Sequence, residues 1–207
     1  MVNLGRWAAW GAFSAAVAYD VPQLLQAAGV LPDPLDRILI FAPSLVLAPT
    51  FVVAVSATLD TVQPEQLQWR RASLCLAILY AAMVSLVYVN QLGVVIPADL
   101  SGHRQEVELF ACCGFRRPMT AIDLLGYTYM ALSLALLAPT YDRGALKALL
   151  VANGLLAPFL ILQLAWPPLL WIGALWIPFF AGAMALLARE LGPRHGENAR
   201  GPSGAES

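Results

Sequence analysis

Six apolar stretches of about twenty residues, each ended by Pro, Gly or charge, constrain this chain more than any other feature. The stretches cover residues 7–30, 38–59, 72–96, 121–138, 145–164 and 169–188. Twenty apolar residues in a helix match the thickness of a bilayer's hydrocarbon core, and only a helix or a closed barrel satisfies its own backbone there. The runs are too long and too continuous for barrel strands. The spacing therefore predicts an all-α, polytopic integral membrane protein: one bundle of six transmembrane helices over 1–191. Pro22, Pro43, Pro49, Pro158 and Pro178 fall inside the runs, where each removes a backbone donor and predicts a kink. The tail 192–207 is rich in Gly, Pro, Glu and Arg, buries nothing, and reads as disordered.

Composition agrees. Only 12% of residues are charged and 59% are hydrophobic, against roughly 25% charged in a soluble domain. Net charge is −1 with no basic stripe, which excludes a nucleic-acid partner. The lipid bilayer is the implied one.

The breaks between runs carry the topology. Pro32, Asp33, Pro34 and Asp36 end the first run, and the polar stretch 60–71 ends the second. Pro97 closes the third and opens a polar loop that lasts to Pro118. A turn over 139–144 follows the fourth, and Trp166-Pro167-Pro168 makes a tight hairpin after the fifth. Six spans place Arg6, Arg70, Arg71, Arg143, Lys147, Arg189, Arg194 and Arg200 on one side. Arg37, Arg104, Arg116 and Arg117 lie on the other. The excess of Lys and Arg marks the cytoplasmic side, so both termini are expected there and the 97–118 loop outside. The first run also resembles a signal peptide, with Arg6 before 7–18 and the small-residue site Ala16-Val17-Ala18. Two tryptophans within it, and apolar character that resumes after Pro22, favour a retained span. Trp7, Trp69, Trp166 and Trp171 sit at predicted interfaces as an aromatic belt, and Ala8, Ala12 and Ala16 form a small-residue packing face.

Intramembrane polar residues are costly, about 2.5–3.5 kcal/mol for a central Asp, so they mark functional candidates. Asp20 is the sharpest. Asp20-Val21-Pro22-Gln23 reads as a capping box, so the first span is expected to break at Asp20, with its carboxylate accepting from the Gln23 amide. Thr120-Ala121-Ile122-Asp123 reads as a second capping box, with Tyr127 one turn deeper. Tyr80, Val84, Tyr88 and Gln91 share a helical stripe. By depth, Asp20, Asn153 and Tyr129 lie near mid-bilayer, and Gln23, Asn90, Gln91, Asp123 and Tyr127 in the outer half. Together these predict an outward-facing polar pocket centred on Asp20.

Several chemistries lack their parts. No H-E-x-x-H, G-x-S-x-G or phosphate-binding loop occurs. Cys112 and Cys113 are adjacent, where thiol redox pairs are normally spaced C-x-x-C. The spacing of His103, Cys112, Cys113, Glu106 and Glu108 fits no zinc pattern. No catalytic residue, metal or cofactor is assigned. Three readings follow: a protein that binds or transports a small-molecule solute at Asp20, a non-catalytic module assembling with a membrane protein partner, or an enzyme acting on a lipid or quinone. The last needs an acid and a base in one pocket. Asp20 and Asp123 are the acids within the spans, and no basic residue lies between the interfaces. Alternating short spans with one polar outer loop resemble those of small bacterial multi-pass proteins, and the Ala- and Leu-heavy composition suits a GC-rich genome.

Overall fold

The computed structural model describes residues 2–192, which are helical with no strands. The long helices are α1 (Val2–Ala27), α2 (Leu35–Thr58) and α3 (Leu67–Asn90). After the short α4 (Ile96–Leu100) come α5 (Pro118–Leu137), α6 (Ala145–Leu162), the one-turn α7 (Leu170–Gly173) and α8 (Trp176–Glu190). The expected disordered tail falls on 193–207, outside the described residues, apart from Gly192.

Each long helix packs against the next in sequence, and α8 returns to α1, so the six close into a ring. Short turns join α1 to α2, α2 to α3 and α5 to α6, while a longer segment with α4 in it joins α3 to α5. The ring's interior is filled by Phe51, Tyr80, Met130, Leu134, Leu150, Phe180 and Met184, all fully buried. Its outer wall is apolar: Leu79, Leu86, Val89, Leu155 and Leu162 are exposed. So broad an apolar exterior marks a lipid-facing surface. Among the described residues, five helical segments are long and apolar enough to cross a membrane: Leu35–Thr61, Pro64–Leu100, Pro118–Thr140, Ala145–Leu162 and Pro167–Glu190. The α1 helix is not among them, because Arg6, Asp20, Gln23, Gln26 and its many small residues dilute its apolar character.

Small residues set the spacing of the ring. A Cβ on Gly5 would lie 2.0 Å from the Ala57 Cβ, and one on Gly154 would lie 2.5 Å from the Ala135 Cβ. Helices α1 and α2, and α5 and α6, therefore approach almost backbone to backbone. Ala8, Ala12 and Ala16, the small-residue face read from the sequence, are all buried along α1, with Ala9 buried beside them.

Three local expectations are overturned. First, α1 runs unbroken through Asp20 and Pro22. An apolar environment offers freed backbone groups no water, so the helix keeps its ladder and absorbs one missing donor. Second, α5 begins two residues before Thr120, because Pro118 is pre-set for the first turn and has no donor to lose. Thr120 instead donates to the Gly114 carbonyl at 2.8 Å, so the second capping box does not form. Third, Pro97 does not close the third helix. A π-helical turn over Gln91–Val95 shifts the register, and Pro97 falls in the first turn of α4, where its missing donor costs nothing.

The ring has two unlike ends. The terminal end holds the start of α1 and the end of α8, with Gly192 near the Arg6 side chain. The loop end carries α4, the 3-10 turn Arg104–Phe110 and the segment leading to α5.

Candidate functional site: an acidic aromatic cage at the loop end

Near the loop end the aliphatic filling of the ring gives way to rings and hydroxyls. Tyr19 from α1 stands edge-on to Trp176 of α8, 5.9 Å between ring centroids. Trp176 stands edge-on to Tyr127 of α5 at 5.2 Å, and Tyr127 meets Tyr80 of α3 at 5.7 Å. Tyr88, two turns beyond Tyr80, brings its hydroxyl to 2.9 Å from that of Tyr127 and stacks on Phe41 of α2. Five of the ring's six helices thus contribute to one cage.

The acids lie at its edge. The Asp123 carboxyl interacts with the Tyr88 hydroxyl and lies within electrostatic reach of Tyr19, Tyr80 and Tyr127. Its Oδ1 is buried without a protein partner. Asp20 is 5% exposed, so its side chain does turn into the bundle as expected, and it reaches Tyr19 electrostatically. Its Oδ1 is likewise unpartnered, and so are Gln23 Oε1, the Tyr80 hydroxyl and Trp176 Nε1. Each such buried group costs about 1–3 kcal/mol when left unmet. Beside the Tyr88–Tyr127 pair the cage thus holds buried acceptors and donors without partners, and no basic side chain among the described residues.

The expected pocket residues divide. Asp123 and Tyr127 enter the cage, with Asp20 adjoining it across Tyr19. Gln23 sits one turn beyond Tyr19 on the same helix, half-buried. Gln91 is taken up elsewhere: its Nε2 donates to the Phe110 carbonyl at 2.7 Å, and its Oε1 accepts from the Cys112 amide at 2.9 Å. Asn90 reaches the same Phe110 carbonyl at 3.3 Å. These two amides fasten the loop over the cage. Asn153 donates to the Leu149 carbonyl of its own helix at 2.8 Å, and Tyr129 is half-buried against the core. Neither donates to Asp20, nor does Tyr127. Tyr19 and Trp176 are cage members that depth reasoning passes over. Tyr80 and Tyr88 are visible in sequence as a stripe, without their partners.

Above the cage lies a polar cavity of about 190 Å³, lined by Gln91 and Cys112 and by an ion network. Arg37 donates to Asp33 and to Asp99, 2.6 Å each, and ties the start of α2 to α4. Gln26 donates to Asp36 at 2.6 Å, which joins α1 to the same rim. The neighbouring Cys113 thiol, and then burial, push the Cys112 thiol above its usual range. Among the described residues no three His, Cys, Asp or Glu side chains group to hold a metal ion. No family model, curated protein or solved structure matches the chain.

Proposed function

We propose that the chain is a multi-pass protein of a bacterial inner membrane, with α1 as a sixth span and both termini cytoplasmic. Within it, the loop-end cage binds a small solute bearing a protonated amine, on a route from the outer face. Six basic residues at the described terminal end, against four at the loop end, support the orientation. The close seating of α1 against α2 and α8 supports the span count.

The observation that carries the binding reading is the composition of the cage: two acids, four tyrosines and a tryptophan, no cation. Aromatic faces and carboxylates both attract positive charge, and a desolvated cation over a ring gains about 2 kcal/mol. An amine's N–H groups suit Asp123 Oδ1, while its substituents suit the rings. Intramembrane acids that lack a protein counter-charge mark solute and ion pathways.

The test is binding and flux with purified protein in liposomes, using ethylammonium and tetramethylammonium as probes. Wild type binds at least one of them, Asp123→Asn abolishes binding, and Tyr127→Leu weakens it by up to about tenfold. Asp20→Asn gives a smaller loss. Absence of amine binding in wild type would overturn the reading. A second protein that co-purifies stoichiometrically, without binding or flux, would instead identify a module that assembles with a partner.

A further inference from the structure

The terminal end holds the larger cavity, about 1050 Å³, between the turn after α2, the turn before α6 and the end of α8. Its walls carry Arg70, Arg143, Lys147 and Arg189 against Asp142 and Glu190. Glu190 acts on Arg70, so the surplus positive charge rests on the other three cations. Lys147 is anchored through the Tyr141 carbonyl at 3.1 Å, which leaves two of its three donors for other acceptors. Arg143 and Arg189 are exposed at the rim.

The backbone adds donors of the same sign. Helix α6 starts in this wall after Gly144, which provides no side-chain cap. The first N–H groups of a helix have no intrahelical partner and carry the positive end of its dipole. Those of Ala145, Leu146 and Lys147 belong to cavity-lining residues. The Tyr141 hydroxyl in the same wall is buried and unpartnered. Behind it Arg70 is fixed by Thr140 Oγ1 at 3.0 Å, Thr61 Oγ1 at 2.8 Å and the Thr58 carbonyl, with its guanidinium over the Tyr141 ring. That anchoring makes the wall rigid before any ligand arrives.

We propose that this cavity binds a phosphate-bearing anion. The observations converge on that class: a concave site of ligand size, two positive charges in excess over Asp142 and Glu190, and an uncapped helix start. A tetrahedral phosphate, with two free oxygens as a diester and three as a monoester, spreads its acceptors over more of these donor directions than a planar carboxylate. At the end of a membrane bundle, a phosphate arrives either on a lipid headgroup or on a soluble phosphoester. Both present the same chemistry to Arg143, Lys147 and Arg189. The inference does not depend on the cage, which lies at the other end.

The test uses the full chain in detergent, titrated with dioctanoyl phosphatidylglycerol, glycerol 3-phosphate and dioctanoyl phosphatidylcholine. Wild type binds phosphatidylglycerol or glycerol 3-phosphate, the choline lipid much less, and affinity falls with salt. Binding of phosphatidylglycerol alone assigns the headgroup as the source, and binding of glycerol 3-phosphate assigns a soluble phosphoester. The Arg143→Gln/Lys147→Gln/Arg189→Gln variant loses binding by about a thousandfold, at roughly tenfold per charge-assisted contact. Arg143→Lys/Arg189→Lys keeps most of it, which separates charge from folding. Failure of wild type to bind either phosphate probe would refute the inference. So would equal affinity in the Gln variant with helix content unchanged.

Discussion

At the terminal end, the buried Arg70 is held by acceptors from three segments and covered by a tyrosine ring. At the loop end, the Asp123 carboxyl faces four tyrosines and leaves one oxygen without a protein partner. Both are ionisable groups at one end of the same ring of helices. One is satisfied by the protein and the other is not. A satisfied buried group stores stability, and an unsatisfied one stores affinity for whatever completes it. The terminal end therefore works as a clamp with an open cavity beside it, and the loop end as a site that holds α1, α3, α5 and α8 together at a cost.

The largest expected effect breaks the clamp. Arg70→Met removes bonds to Thr58, Thr61 and Thr140 at once and leaves the buried Thr58 carbonyl with the Thr61 hydroxyl as its remaining side-chain donor. Loss of about 3 kcal/mol follows, close to the cost of breaking a buried charged network. Thermal unfolding in detergent measures it. A loss under about 1 kcal/mol, the scale of an exposed ion pair, would show that Arg70 is solvated and the clamp does not exist.

The opposite sign is expected at the loop end. Asp123→Asn replaces a buried carboxyl that has one oxygen without a protein partner by a neutral amide of nearly equal shape. Stability rises by about 1 kcal/mol, because desolvating an amide costs less than desolvating a charge. The same variant that loses amine binding thus melts higher. If it melts lower by more than that amount, the Tyr88–Asp123 interaction is a structural strut, and the contrast between the two ends disappears.

Much of this was legible in the sequence, and the reason is local. Each apolar run overlaps one long helix, with ends that differ by up to seven residues, as at Trp176 where α8 starts. Burial of Asp20 follows from the cost of a carboxylate in lipid. The cage was less legible because its members are distant in sequence: Tyr19, Tyr80, Tyr127 and Trp176 meet only when α1, α3, α5 and α8 close into a ring. Nothing in the sequence near Trp176 distinguishes it from the belt residue Trp171, which is 77% exposed where Trp176 is 4%. The misread break at Asp20 has a different origin. Capping-box rules describe helix starts in water, whereas here the same residues sit in mid-helix. Gln91 is expected in the polar pocket, and its contacts with Phe110 and Cys112 are not legible because they depend on how a long loop folds back.

The smallest expected effect concerns that fastening, and it sharpens the contrast by asking what covers the cage. Cys112 and Cys113 are neighbours in the loop, with different surroundings. Cys113 is exposed, while Cys112 is half-buried, its amide held by Gln91 and its thiol pushed up by Cys113 and by burial. Thiolate is the reactive form, so a raised thiol reacts slowly at neutral pH. A maleimide added to the intact protein should therefore modify Cys113 first and Cys112 later, read by peptide mass after digestion. Gln91→Leu removes both the bond to the Phe110 carbonyl and the acceptor for the Cys112 amide. It costs about 1 kcal/mol, since only the loop is released. Modification of Cys112 should then accelerate by severalfold while that of Cys113 hardly changes. The sign at Cys112 follows from access and from the lost burial contribution, since release of the loop exposes the thiol while Cys113 stays its neighbour. Equal acceleration at both thiols would mean that the loop moves as one piece regardless of Gln91. No acceleration would mean that α4 and the Arg37–Asp99 bridge hold the lid, and that Arg37→Gln is the variant that opens it.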